Sequence, residues 1–176
     1  MTTSDDSRPA PGEAAQRRSA ARLLAVQAIY QSAFTDMPLD ACIKSFLAGE
    51  IGGQALTDDE DGIDEFEQRI DLQKPDPDLF SKIVRGAAAR TDDIDPMISE
   101  SLSDDWSADR LELTVRAILC AGIWELLENP KVPARVVISE YIDIAHAFYQ
   151  GSEPKMVNAV LDRLAKIIRT GEFGAS

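Results

Sequence analysis

The sequence predicts an all-α fold, and three observations carry that prediction. Apolar residues recur at spacings of three and four through most of the chain, sustained period-2 alternation is absent, and no Asn-Gly or Asp-Gly turn lies between β-branched runs. With 176 residues, 44% hydrophobic and 28% charged, the chain has the size and composition of one ordinary globular domain with its own core.

The elements follow in order. Met1 to Gln16, rich in Ser, Pro, Ala and acids, reads as a disordered tail. A first helix is expected from about Arg18 to Phe34, with Leu23, Val26, Tyr30 and Phe34 on one face. Met37-Pro38 ends it, and a second helix runs from about Leu39 to Ala48. Gly49, Gly52 and Gly53 open an acidic insertion over about 50–77, with at most a short helix around Ile63 to Ile70. Helical pattern resumes at Leu79 and holds to about Arg90. Asp95-Pro96 then lies inside a continuing apolar period, so a kink or a fresh start is expected near Thr91. Trp106 falls in a connection, and a helix follows from about Asp109 to Leu127, stopped by Asn129-Pro130. Val132-Pro133 precedes a helix from about Ala134 to Tyr149. The last helix runs from about Glu153 to Arg169 with Ser152 as N-cap, leaving 17–170 as one domain and 171–176 as a tail.

Composition excludes several functions. No apolar run is long enough to span a bilayer, and the N-terminus has no apolar segment of the secretory kind. Cys42 and Cys120 sit far apart on apolar patterns, as buried reduced thiols would, and the expected location is cytoplasmic. The single histidine, His146, has no partner at catalytic or metal spacing. There is no Gly-rich phosphate cradle and no nucleophile elbow. The run Asp58-Asp59-Glu60-Asp61-Gly62 lacks the alternate carboxylates of a calcium loop and reads as a solvated charge run. Neither catalysis nor a metal or other cofactor is expected.

The net charge of −13 argues against a nucleic-acid ligand only until its location is considered. Ten acids against two bases give Leu56 to Asp78 a net charge of −8. Ala14 to Phe34, by contrast, holds Arg17, Arg18 and Arg22 and no acid. Exposed charges are screened beyond roughly 8 Å at physiological salt, so the distant acids leave a local basic patch intact. On a helix, Arg18 and Arg22 project from the same side, with Arg17 about 100° round. Guanidinium forks at a helix N-terminus suit phosphates and base edges, although an ordinary solvated helix start has the same pattern. Gln27 interrupts the apolar stripe, as either a hydrogen-bonded core residue or a rim residue. Tyr30 reads equally as core or as a stacking platform for a base. A second polar strip, Lys155, Asn158, Asp162, Lys166 and Arg169, flanks the apolar face of the last helix.

Four segments together resemble the NusB family of bacterial transcription antitermination factors. They are Arg17-Arg18-Ser-Ala-Ala-Arg22-Leu-Leu-Ala-Val26-Gln27-Ala-Ile-Tyr30-Gln31, Arg116-Ala-Ile-Leu-Cys-Ala-Gly-Ile-Trp124-Glu125-Leu126, Val132-Pro133-Ala-Arg-Val-Val-Ile138-Ser-Glu140 and Lys155-Met-Val157-Asn158-Ala-Val160-Leu161-Asp162-Arg163. The resemblance implies about seven helices in two packed subdomains. It implies binding of single-stranded boxA RNA in ribosomal RNA transcripts together with the ribosomal protein NusE. The pair would then act with other Nus factors on RNA polymerase to keep elongation processive. Under it, Arg17, Arg18 and Arg22 face RNA, Gln27 and Tyr30 stand at the rim, and Lys155 and Asn158 complete the surface. Glu112, Arg116 and Asp162 are the implied partner contacts, and self-association through the RNA face stays open. Two positions depart from the pattern: Cys120 stands where family members carry a second arginine, and Val115 where an acid precedes the first. The alternatives are a helical protein-interaction scaffold and a NusB-like domain of an RNA methyltransferase. The sequence carries no nucleotide-binding βαβ region, so methyl transfer itself is not expected of it.

Overall fold

The computed structural model describes residues 10–50 and 74–174. The expected short helix at 63–70 and most of the acidic insertion lie outside the described residues, as does the tail up to residue 9. Among the described residues there are eight α-helices and one 3₁₀ turn, with no strand. These are α1 (Pro11–Thr35), α2 (Leu39–Leu47), α3 (Pro77–Ala89), α4 (Thr91–Ser101), α5 (Leu113–Glu128), α6 (Ala134–Phe148), α7 (Glu153–Ile168) and α8 (Thr170–Phe173).

α5 is the organising element. From Val115 to Leu126 every residue except Arg116 is buried, as expected of a helix apolar on all sides. α1 and α3 pack on it and on each other, and α2 closes over both of them. α6 and α7 pack on it as a second group, with α4 laid against α5 and α7. The two groups share one core, in which Phe46, Phe80, Ile118, Ile123, Tyr141 and Leu161 are buried. No helix of the described residues is long and apolar enough to cross a membrane.

Local chemistry accounts for the helix ends. The Asp76 carboxylate accepts from the Asp78 and Leu79 amides at 3.0 and 3.1 Å, and Pro77 supplies a preset φ at the start of α3. Asp36, left-handed at φ 53°, ends α1 one residue before Met37-Pro38. The helix does restart at Thr91, and Pro96 is accommodated inside α4. Cys42 and Cys120 are buried and unpaired, and burial pushes the Cys120 thiol up to about 12, with the nearby Asp95 adding to the shift.

Four expectations about element ends change, the first being that Thr170–Phe173 forms the short helix α8, so 171–173 is helix and not tail. α1 begins at Pro11, so 11–16 is helix and not tail. α5 begins at Leu113, because residues 108–110 form a separate 3₁₀ turn. Ser152 stands before α7 with φ −87° and ψ −8°, and its side chain makes no cap bond, since a capping hydroxyl requires extended backbone there.

Gly86 marks the tightest approach between the α3 and α5 helices. A Cβ there would stand 2.0 Å from the Trp124 indole nitrogen. Gly86→Ala is therefore expected to lower stability by about 1–3 kcal/mol through overpacking, outweighing the ~1 kcal/mol that alanine offers in a helix. A urea midpoint at or above that of the unsubstituted protein would show that the indole has room to yield.

Candidate nucleic-acid interface

Because α1 begins at Pro11, its arginines lie well inside the helix and not at its N-terminus, and they divide by environment. Arg18 is exposed and makes no ion pair among the described residues. Arg17, half-buried, donates from Nε to the Lys74 carbonyl at 3.1 Å, and its own carbonyl accepts from the Asp76 amide at 3.0 Å. It thus ties the chain entering α3 to the side of α1.

Arg22 corrects the sequence expectation. Its side chain is 3% exposed and forks onto Glu125, with Nη2 to Oε1 at 2.7 Å and Nε to Oε2 at 2.9 Å. Glu125 also accepts from Tyr141 Oη at 2.8 Å and Asn129 Nδ2 at 3.1 Å. Glu140 lies 3.6 Å from Arg22 Nη1 and accepts from Ser19 Oγ at 3.0 Å. Burial alone would lower the Arg22 guanidinium, but the hydrogen bond and charge of Glu125 more than reverse this and hold it above its ordinary value. Burial first, then the Glu125 charge, pushes the Tyr141 phenol well up. Arg22 is therefore an internal strut joining α1, α5 and α6, and its donors are not available to RNA. Arg18, one turn earlier on the same side, is.

The remaining residues fall in two places. Gln27 is half-buried at the edge of the α1 stripe. Tyr30, also half-buried, stacks on Phe34 with centroids 5.7 Å apart and planes 9° off parallel. Phe34 is 65% exposed, so the pair presents an aromatic face to solvent. Lys155 and Asn158 are exposed near the start of α7. That start lies beside the start of α5, because the Tyr149 phenol at the end of α6 donates to Glu112 at 2.9 Å. Burial, followed by that bond, raises the Tyr149 phenol. Of the three arginines Arg22 contacts the other end of α5, at Glu125, twelve residues on from Leu113, which at ~1.5 Å per residue is roughly 18 Å away. The structure thus brings Lys155 and Asn158 together with Glu112, and not with Arg17 and Arg18.

Of the implied partner contacts, Glu112 is exposed. Arg116 reaches Asp95 at 2.8 Å and the Ala108 carbonyl at 3.0 Å, holding the 3₁₀ turn against α4. Asp162 pairs with Lys166 at 2.8 Å along α7. Sequence reasoning missed Glu125, Glu140, Tyr141 and Ser19. One signal was legible: Glu125 is the only acid between Leu113 and Leu127, in a helix otherwise almost wholly apolar, and a buried carboxylate requires a cationic partner.

This arrangement defines a helical binding module with an arginine-bearing end, and among the described residues no cluster of His, Cys, Asp and Glu could hold a metal ion. Residues 19–166 match the NusB family. The transcription antitermination protein NusB of Rhodospirillum rubrum is 50% identical over 90% of this chain and 88% of that protein. Among solved structures, T. maritima NusB superposes with a TM-score of 0.63 at 27% identity, covering 85% of this chain and 90% of that one. A structure of antitermination factors NusB and NusE with double-stranded RNA shares the fold at TM-score 0.61 and 22% identity, over 86% of this chain and 97% of that one. The chain belongs to the NusB family.

Proposed function

We propose that the chain is a transcription antitermination factor that binds boxA RNA of ribosomal RNA transcripts together with NusE. In this reading it acts in the cytoplasm with other Nus factors on RNA polymerase, and it performs no catalysis. The observation that carries the reading is the exposed Arg18 on the acid-free stretch of α1 from Ala14 to Phe34, in a chain half identical to an antitermination protein along nearly its whole length. Arg17 and Arg18 contact phosphates, while Gln27 and the Tyr30–Phe34 face offer hydrogen bonding and stacking to unpaired bases. Lys155 and Asn158 take the far end of the strand, where Glu112, Arg116 and Asp162 lie nearest the partner.

Fluorescence anisotropy of a boxA-type RNA against a scrambled one, with and without NusE, tests this. Selective binding that tightens with NusE is expected. Arg18→Ala should weaken it about tenfold and reduce the salt slope by about 0.7, as one lost phosphate contact on a single strand would. Binding that ignores sequence, partner and Arg18 alike would leave a helical protein scaffold.

A further inference from the structure

A concave surface lies at the end of the molecule formed by the α5–α6 loop and α8. Pro130, Lys131, Pro133, Arg135, Glu172 and Phe173 line an open cleft of about 390 Å³ between the α5–α6 loop and α8. That volume is within the range of small-ligand pockets and suits one nucleotide.

The cleft gathers two cations in an otherwise acidic chain. Several cations on the helices are taken up by acids, Lys82 by Asp78, Arg85 by Asp40, Arg90 by Asp93 and Glu128, Lys166 by Asp162, whereas among the described residues Arg18 and Lys155 are not. Lys131 and Arg135 are exposed and have no acidic partner among the described residues. From Asn129 to Ser139 the sequence holds no acid at all. Glu172 is the one carboxylate in the cleft, and it is committed, accepting from the Ala134 amide at 2.7 Å and Arg169 Nη1 at 2.6 Å. Those two donors hold it below the usual carboxylate range, so its charge is met internally. Phe173, half-buried, adds an aromatic wall. Unpaired cations beside an aromatic wall are the chemistry that holds single-stranded nucleic acid.

The loop that bears the cleft and the α1 helix are tied to the same residue of α5. Asn129, which opens the loop, donates to the same Glu125 carboxylate that Arg22 grips. Arg18 is one helical turn from Arg22, and Lys131 is two residues from Asn129.

We propose that this cleft is a second RNA subsite, which takes a nucleotide flanking the segment held by α1. Lys131 and Arg135 bind its phosphates and Phe173 stacks on its base. The proposal rests on the RNA-binding reading above and extends it.

The test compares a boxA-type RNA with the same RNA carrying a short oligouridine extension at either end, in the presence of NusE. The unsubstituted protein is expected to bind one extended RNA about tenfold more tightly, as one added stack and two phosphate contacts imply. Lys131→Ala with Arg135→Ala should abolish that gain, lower the salt slope for the extended RNA by about 1.4, and leave the core RNA unchanged. Both substituted residues are exposed, so the fold is retained. Phe173→Ala should remove the gain without moving the salt slope. An unsubstituted protein indifferent to both extensions, or a gain that survives the double substitution, overturns the subsite. Core binding indifferent to Arg18→Ala beside a gain that needs Lys131 would instead sink the α1 reading and leave the subsite standing.

Discussion

Glu125→Ala is expected to lower the free energy of unfolding by about 3–5 kcal/mol, the cost of leaving a buried guanidinium without its counter-charge. Three donors lose their acceptor at once: Arg22, the Tyr141 hydroxyl and the Asn129 amide. Glu140 cannot replace it, since it stands 3.6 Å from Arg22 on the outer side and already serves Ser19. The size of this loss does not mean that the pair contributes as much, because forming it also strips two charges of water. Arg22→Met combined with Glu125→Leu should therefore recover most of the loss, and Tyr141→Phe should recover part of the rest by removing the orphaned hydroxyl. Urea midpoints across the series decide the matter. A Glu125→Ala protein within about 1 kcal/mol of the unsubstituted one would mean that water reaches Arg22 and the pair is not a buried one. The double variant also asks a functional question. If Arg22 is a strut, its replacement alongside Glu125 leaves RNA binding intact, whereas the sequence expectation of an RNA contact requires a loss.

Arg22 shows where sequence reading stops. Arg18 and Arg22 are equivalent in spacing, side and residue type, yet one is exposed and the other 3% exposed. What separates them is the covering of α1 at the level of Arg22 by α5 and α6, through residues more than a hundred positions away. Periodicity reports which way a side chain points from its own helix, and not what lies opposite. The core elements were legible for the complementary reason. The stripes of α6 and α7 recur over four turns, so their existence and inner faces follow from spacing alone. The α1 start was obscured by the Ser, Pro, Ala and acid content that reads as a tail, although Pro11 at the first helical position with Glu13 in the first turn is the pattern that opens a helix. The split of the site between the two ends of α5 is a fact of packing, with no counterpart in the sequence.

The first long helix and the residue that follows the last one meet on Glu125. Its side chain receives Arg22 from α1, and its backbone carbonyl receives Arg169 from the end of α7 at 3.2 Å. The first contact fixes the helix that carries Arg18, and Arg169 also holds the loop that carries Lys131 through the Asn129 and Val132 carbonyls. The arginine-bearing surface is thus built on one residue of the central helix, and its two halves share a support.

Arg169→Ala is the second substitution expected to be severe, at about 2–4 kcal/mol. The guanidinium donates to the carbonyls of Leu126 at 2.6 Å, Asn129 at 2.9 Å, Val132 at 3.0 Å and Glu125. Carbonyls at a helix C-terminus have no partner within the helix, and here one side chain serves the end of α5 and the loop beyond it. Arg169→Lys should recover less than half of the loss, because one ammonium cannot reproduce the planar fork. Glu172 adds a pH dependence. Its carboxyl lies below the ordinary 4.5 because the Ala134 amide, and then Arg169, bind the ionised form. A carboxyl depressed in the folded state stabilises fully above its unfolded value, and that stabilisation is lost as pH falls through the folded value. Acid unfolding of the unsubstituted protein should therefore include a contribution below pH 4.5 that Glu172→Gln removes. Identical acid profiles for the two proteins would show that the Ala134 and Arg169 contacts do not hold in solution. Since the Asn129 and Val132 carbonyls flank Lys131 and lose the guanidinium that ties them to α7, Arg169→Ala should also cost the protein its preference for the extended RNA while the core RNA still binds.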